Sequence, residues 1–351
     1  MKGLAVGDLL LPTSKMVNLF SVEGVRELVP EVHTTEFVST DRNEIRRTWR
    51  NVEEHGPEAE PPPSDLPALI RDADILAVHI CPLSRSTLEE ARSLRIISTA
   101  RGGVENIDVG AATEMGIAVL NTPNHNAQAV AEYTIGLMLA ETRNIARSHR
   151  ALKNGQWREY YPNTEGIPEL NGSTVGIVGF GQNGRLVAQK LGSFDVTILV
   201  HDPYVPEEII RTAGCKPTDL DTLLRESDVV TLHVRLTPRT MGMMGERELR
   251  LMKPSAYLVN TARAGLIELD ALVRALREKW IIGAAVDVYE SEPVWEGYPL
   301  LELDNVTCTN HRAGDTRNSY WKAPLIMGGQ VAKLLRGEKP DFIVNPEVLS
   351  K

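Results

Sequence analysis

Thr174-Val-Gly-Ile-Val-Gly179-Phe-Gly181-Gln-Asn-Gly184-Arg-Leu-Val-Ala188 carries an apolar run into Gly179-x-Gly181-x-x-Gly184 and then into a helical pattern. Strand, glycine turn and helix in that order are what a dinucleotide asks of a chain. The first glycine permits the bend and the second lets backbone approach a pyrophosphate. The third lets helix pack on strand, with phosphate charge facing the helix N-terminus. Gly179, Gly181, Gln182, Asn183 and Gly184 are therefore the candidate cofactor contacts of this turn. Asp195-Val-Thr-Ile-Leu-Val-His-Asp202 adds a second strand ending in a carboxylate 18 residues beyond Gly184. An acid there accepts hydrogen bonds from the adenosine ribose hydroxyls and repels a 2′-phosphate, so Asp202 favours NAD over NADP.

Outward from that turn, strand and helix patterns keep alternating. Val175–Val178, Val196–Val200, Val229–Leu232, Ala256–Val259, Ile281–Val286 and Val306–Thr309 give five or six strands, a doubly wound sheet whose ligand lies beyond the carboxyl strand ends. Residues 1 to about 120 show a second such alternation, with apolar runs Leu4–Leu11, Ile75–Ile80, Leu94–Thr99 and Ile117–Leu120, which predicts another parallel-sheet unit. Arg42 to Pro67, charged and interrupted by Glu60-Pro-Pro-Pro63, reads as a surface loop beside a short helix. Val130, Thr134, Leu137, Met138 and Ile145 recur at helical spacing from Ala127 to about Lys153, closed by Asn154-Gly155, and predict one long helix joining two domains. Thr316 to Arg336 looks helical, but Pro324 and Gly328-Gly329 predict a kink or two shorter helices.

At 351 residues the chain exceeds what one core usually serves, so two domains are expected. A formal charge of −9 and a pI near 5.5, with no basic block, exclude nucleic-acid binding as the main task. Cys81, Cys215 and Cys308 are odd in number and widely spaced, against a disulfide framework or a structural zinc site, and they fit a reducing cytoplasm. No window approaches the roughly 18 apolar residues of a membrane span. Nor do His, Asp and Glu recur at metal-ligand spacing.

Three strand ends carry groups of distinct chemistry. Asn260-Thr-Ala-Arg263-Ala-Gly265 places a guanidinium that can hold a carboxylate in two parallel hydrogen bonds. Asp287-Val-Tyr-Glu290-Ser-Glu292-Pro293 offers acids, and Asn310-His311-Arg-Ala-Gly314 a histidine. Arginine, acid and histidine converging on a nicotinamide ring are the parts needed to reduce a 2-oxo acid or oxidise a 2-hydroxy acid. In the first unit, Thr99-Ala-Arg101-Gly102-Gly103-Val104 follows a strand, and successive amides of such a turn can receive a carboxylate. Arg101 there suggests a second anionic or polyhydroxy group on the substrate; a solvated surface arginine is the competing reading.

The order and spacing of these motifs resemble the D-isomer-specific 2-hydroxyacid dehydrogenases over nearly the whole chain. Asn260-Thr-Ala-Arg263-Ala resembles that family's Asn-x-x-Arg-Gly, Asp287 to Pro293 its Asp-Val-aromatic-x-x-Glu-Pro, and Asn310 to Gly314 its Pro-His-x-Ala-Gly. Ala264 and Asn310 depart from it at positions that set backbone shape. The resemblance implies a Rossmann cofactor domain, residues 123–316, inserted into a flavodoxin-like substrate domain of residues 1–122 and 317–351. It implies NAD as cofactor, a small D-2-hydroxy or 2-oxo acid as substrate, and a homodimer through the cofactor domain and the helix after Ala127. His311 is then the proton donor and acceptor, Glu292 its partner, with Glu290 as the rival acid, and Arg263 the group engaging substrate. Gly102, Gly103 and Val104 receive the substrate carboxylate in that scheme, and Thr261 and Ala262 lie against the cofactor. Asp287 contacts the nicotinamide amide, or else caps its own loop through backbone amides. His79 stands near where phosphoglycerate-specific relatives carry a phosphate-binding arginine, which weakens that substrate. The chain beyond His311 is expected to hold no regulatory domain of the kind attached to many phosphoglycerate dehydrogenases. The alternative function is an NAD(H)-sensing, non-catalytic protein like the family's corepressors.

Overall fold

The computed structural model describes residues 1–37 and 41–350. It divides into two compact units, Met1–Asn126 with Thr316–Lys351, and Ala127–Asp315. In the first unit β1 (Lys2–Asp8), β2 (Glu31–Phe37), β3 (Ile75–Val78), β4 (Ile96–Thr99) and β5 (Ala118–Leu120) form a parallel sheet in the order β2-β1-β3-β4-β5. This is the flavodoxin-like order, with the chain reversing direction of travel between β1 and β3. β3 and β4 are buried at every position, as strands covered on both faces are; β3 is apolar throughout, and β4 closes with the polar Ser98 and Thr99. β2 went unread in the sequence because it is an edge strand: Glu31, His33 and Thr34 are exposed, and only Thr35 is buried.

The second unit holds β6 (Thr174–Val178), β7 (Thr197–His201), β8 (Lys216–Pro217), β9 (Val229–Leu232), β10 (Tyr257–Asn260), β11 (Gly283–Val286) and β12 (Val306–Cys308). Their order, β12-β11-β10-β9-β6-β7-β8, is the doubly wound Rossmann arrangement, again parallel throughout. Among the described residues the sheet therefore has seven strands, against the five or six expected. The extra one, β8, is only two residues long and carries no periodicity to read.

Three segments differ from the sequence expectation. Arg42–His55 is a helix of 14 residues, not a loop beside a short helix; Asp41 caps it by accepting from the Asn43 amide, and Ile45 and Val52 bury its apolar stripe. The prolines act only afterwards, from Pro57 onward. The long helix after Ala127 is two, Ala127–Thr142 and Ile145–Lys153, broken at Asn144 in the left-handed region (φ 58°). Asn144 is fixed there by its side chain, which donates to Asn163 Oδ1 at 2.7 Å and accepts from Arg147 Nη1 at 3.1 Å. Arg317–Leu335 is a single helix with Pro324 inside it, so of the two expected outcomes, a kink or two shorter helices, the pair of shorter helices is not found. Burial holds it together: Ala323, Met327, Val331 and Ala332 pack into the first unit's core, and a Cβ on Gly328 would strike the Leu19 carbonyl and Val22. The glycine is there for close approach rather than as a break.

Among the described residues no helix is long and apolar enough to cross a membrane.

Candidate active site

The glycine turn leaves the end of β6 and starts the helix Gln182–Leu191. Gly179 sits at φ 95°, and a Cβ there would come within 2.8 Å of the His233 carbonyl carbon and the Val234 amide nitrogen. At Gly184 a Cβ would collide with the Gly179 carbonyl oxygen, so this glycine lets helix and strand touch. Over Gly181 a Cβ would meet nothing within 4 Å. That open space faces the first turn of a helix whose leading amides have no intrahelical acceptor, the cradle a pyrophosphate needs. Asn183 adds a buried Oδ1 with no partner among the described residues. Asp202, ending β7, accepts from the Phe180 amide at 2.7 Å through one oxygen and from the Tyr204 amide at 2.9 Å through the other. A carboxylate has about four acceptor sites, so capacity remains for ribose hydroxyls.

β10 ends in the buried Asn260, whose side chain shapes the next turn by accepting from the Ala262 amide (3.0 Å) and donating to the Arg263 carbonyl (2.9 Å). Arg263 is thereby presented exposed, its Nη1 donating to the Ala262 carbonyl at 2.7 Å. Thr261 is buried, its hydroxyl 2.8 Å from that of Thr134. Ala262 is half-buried against the core.

His311 follows β12 at φ 54°. Its Nδ1 lies 2.9 and 2.8 Å from the two oxygens of Glu292, and Glu292 also accepts from the Tyr289 amide at 3.2 Å. Glu290 is engaged elsewhere, accepting from the Tyr298 hydroxyl at 2.9 Å. The Glu292 hydrogen bond, opposed by burial and helped by the charges of Glu292 and Asp287, holds the His311 pKa above its ordinary value. Burial pushes the Glu292 carboxyl up. The bond and charge of His311, the Tyr289 amide and the Arg263 charge outweigh it and hold that carboxyl below its usual range. Arg263 thus acts electrostatically on both partners.

Asp287 is fully buried and caps the histidine loop. It accepts from the Arg312 amide (2.9 Å), the Ala313 amide (2.8 Å) and the Thr309 hydroxyl (2.6 Å). Sequence reasoning passed over His233. It follows β9, packs by its backbone against Gly179, has an Nδ1 with no partner among the described residues, and is held by burial at a pKa of about 4. The signal that could have found it is its place at the carboxyl end of the strand beside the glycine turn, where ligands bind.

In the first unit the amides of Gly102, Gly103 and Val104 donate to no group among the described residues. Arg101 is not a solvated surface residue: only 5% exposed, it donates to Glu53 and to Glu105 (3.3 Å). Nor is His79 exposed; its Nδ1 lies 2.8 Å from the buried Asp8 carboxylate. His125 is half-buried, its Nδ1 2.9 Å from the Thr122 carbonyl.

A sequence profile of the D-isomer specific 2-hydroxyacid dehydrogenase, NAD binding domain, matches residues 135–313. The chain is 38% identical over 326 residues to a glyoxylate reductase of Thermofilum pendens, covering 91% of this chain and 96% of that one. It is 43% identical over 279 residues to a D-3-phosphoglycerate dehydrogenase of Methanocaldococcus jannaschii, covering 79% of this chain but 52% of that one, so it spans about half the length of that relative. The fold is that of the NAD-complexed D-isomer specific 2-hydroxyacid dehydrogenase of Lactobacillus delbrueckii ssp. bulgaricus, with a TM-score of 0.76 at 23% identity over 98% of this chain and 100% of that one. The chain belongs to the D-isomer specific 2-hydroxyacid dehydrogenase family, and its second unit is the NAD-binding domain.

Proposed function

We propose that this chain is an NAD-dependent oxidoreductase interconverting a small D-2-hydroxy acid and its 2-oxo acid. His311 is the acid-base group, Glu292 its partner, and Arg263 the substrate-binding cation. The observation that carries this reading is the His311–Glu292 pair: both carboxylate oxygens engage Nδ1, so Nε2 is the nitrogen left for a substrate oxygen. NAD, when bound, accepts or supplies the hydride at its nicotinamide ring. Gly179 to Gly184 and Asp202 would hold its pyrophosphate and ribose, and Thr261, Ala262 and Asp287 its nicotinamide end.

The chain's own part is protonic and electrostatic. In reduction, protonated His311 gives its Nε2 proton to the carbonyl oxygen at C2 as negative charge gathers there; in oxidation, neutral His311 takes that proton from the hydroxyl. Anionic Glu292 stabilises the imidazolium and fixes the ring. Arg263 orients the carboxylate and polarises the carbonyl with a planar pair of donors. The flavodoxin-like unit is the substrate domain in this reading, its Gly102–Val104 turn receiving the carboxylate.

A homodimer through the second unit is supported by exposed apolar side chains on and after the helix Ile145–Lys153, with Leu152 62%, Trp157 83% and Tyr160 76% exposed. Three unpaired cysteines, with no disulfide among the described residues, support a cytoplasmic setting.

The test is NADH oxidation followed spectrophotometrically over a panel of 2-oxo acids. Turnover of at least one acid, with NADH used in preference to NADPH, is expected. Tight NADH binding without turnover of any acid would overturn the reading in favour of a dinucleotide sensor.

A further inference from the structure

The first unit has its own switch point, between β1 and β3, and polar side chains gather there. Asp8 ends β1, His79 follows β3, and Arg101 follows β4. The Trp49 ring, from the helix Arg42–His55, lies edge-on to His79 with centroids 5.4 Å apart, and the Arg101 guanidinium sits 5.1 Å from the Trp49 ring centre. Two donors in this cluster are buried and unmet among the described residues: Arg101 Nη1 and Trp49 Nε1. A buried donor without an acceptor costs on the order of 1–3 kcal/mol, so a stacked pair of them is a feature the fold maintains against its own stability. The turn of unmatched amides, Gly102–Val104, begins at the residue after Arg101.

We propose that Arg101 and Trp49 form a subsite for the distal hydroxyl groups of a polyhydroxylated 2-oxo acid. The proposal rests on the dehydrogenase reading above and names its substrate class. Charge decides hydroxyl over phosphate. Arg101 already serves two carboxylates, Glu53 and Glu105, leaving a formal charge of about −1 on the three groups together. A phosphate, carrying roughly −1.5 to −2, would be repelled there and would find one arm of the guanidinium fork taken. A hydroxyl fits both halves of the site, because it accepts from Nη1 or Nε1 and can donate its own proton to Glu53. His79, bound to Asp8, supplies a wall rather than a second arginine.

The experiment is steady-state kinetics of this chain with NADH and four acids: glyoxylate, hydroxypyruvate, 2-oxogluconate and 3-phosphohydroxypyruvate. The wild-type protein should have a higher kcat/KM for the two hydroxylated acids than for glyoxylate or the phosphorylated acid. Trp49→Phe keeps an aromatic face while removing the N–H together with the five-membered ring, and Arg101→Lys keeps the charge and removes the fork. Each should lower the ratio of kcat/KM for 2-oxogluconate to that for glyoxylate by about tenfold, the worth of one hydrogen bond to an otherwise unmatched donor. Equal losses on both acids would reduce the cluster to a packing role and overturn the proposal, as would a wild-type preference for the phosphorylated acid. Turnover of glyoxylate alone would sink the subsite while sparing the dehydrogenase reading; turnover of none of the four would sink the subsite, and failure of the wider 2-oxo acid panel as well would sink both.

Discussion

In the proposed function His311 and Glu292 divide the work of one acid-base device, and each substitution should report a different half of it. His311→Gln should leave NADH binding, measured by fluorescence titration, nearly intact while lowering turnover by about 10²-fold or more, the usual worth of a positioned proton donor. Comparable losses of binding and turnover would make the histidine structural. Glu292→Gln should move the pH profile. Because Glu292 raises the His311 pKa, the protonated form that reduction needs persists to higher pH in the native protein. Removing the charge lets that pKa fall, so the alkaline limb of kcat/KM for reduction should shift to lower pH, and an unshifted limb would remove Glu292 from the device. The sequence offered Glu290 and Glu292 as rivals only two positions apart. What separates them in space is Tyr298, whose hydroxyl engages Glu290, a contact no local pattern announces. Arg101 is the reverse case: its identity was plain, but its burial came from the Arg42–His55 helix, which charge and prolines had disguised.

The glycine turn makes a sharper forecast at the scale of strand and helix, because its positions differ in what surrounds them. Gly181→Ala places a methyl in open space, so thermal unfolding should stay within a degree or two of the parent while NADH binding weakens, the methyl occupying the approach of the pyrophosphate. Gly184→Ala drives a methyl into the Gly179 carbonyl and should destabilise the fold by about 1–3 kcal/mol as well as weaken binding. Comparing melting curves with NADH titrations checks both; equal destabilisation by the two would contradict the packing described. Elements whose signal is local, such as β6 with its glycine turn, were legible in the sequence. Elements held by distant contacts were not. The Asn144 break depends on Asn163, and the unbroken Arg317–Leu335 helix depends on a glycine that meets Leu19 and Val22.

At the scale of the assembled protein, the exposed Trp157, Tyr160 and Leu152 predict a dimer in sedimentation equilibrium, and Trp157→Glu should weaken it without altering the far-ultraviolet circular dichroism. A wild-type monomer at micromolar concentration would contradict the homodimer reading. The two parallel sheets, the glycine turn, the acid Asp202 that ends the second strand and the three motifs of the family were all written in residue order, because periodicity, turn chemistry and spacing act over a few neighbouring positions. Only the tertiary structure decided that Glu290 turns to Tyr298, that Asp287 caps the histidine loop, and that Arg101 lies buried against Trp49. Those outcomes depend on which side chains distant segments bring within hydrogen-bond reach, and that is fixed by how helices and strands pack rather than by where they stand along the chain.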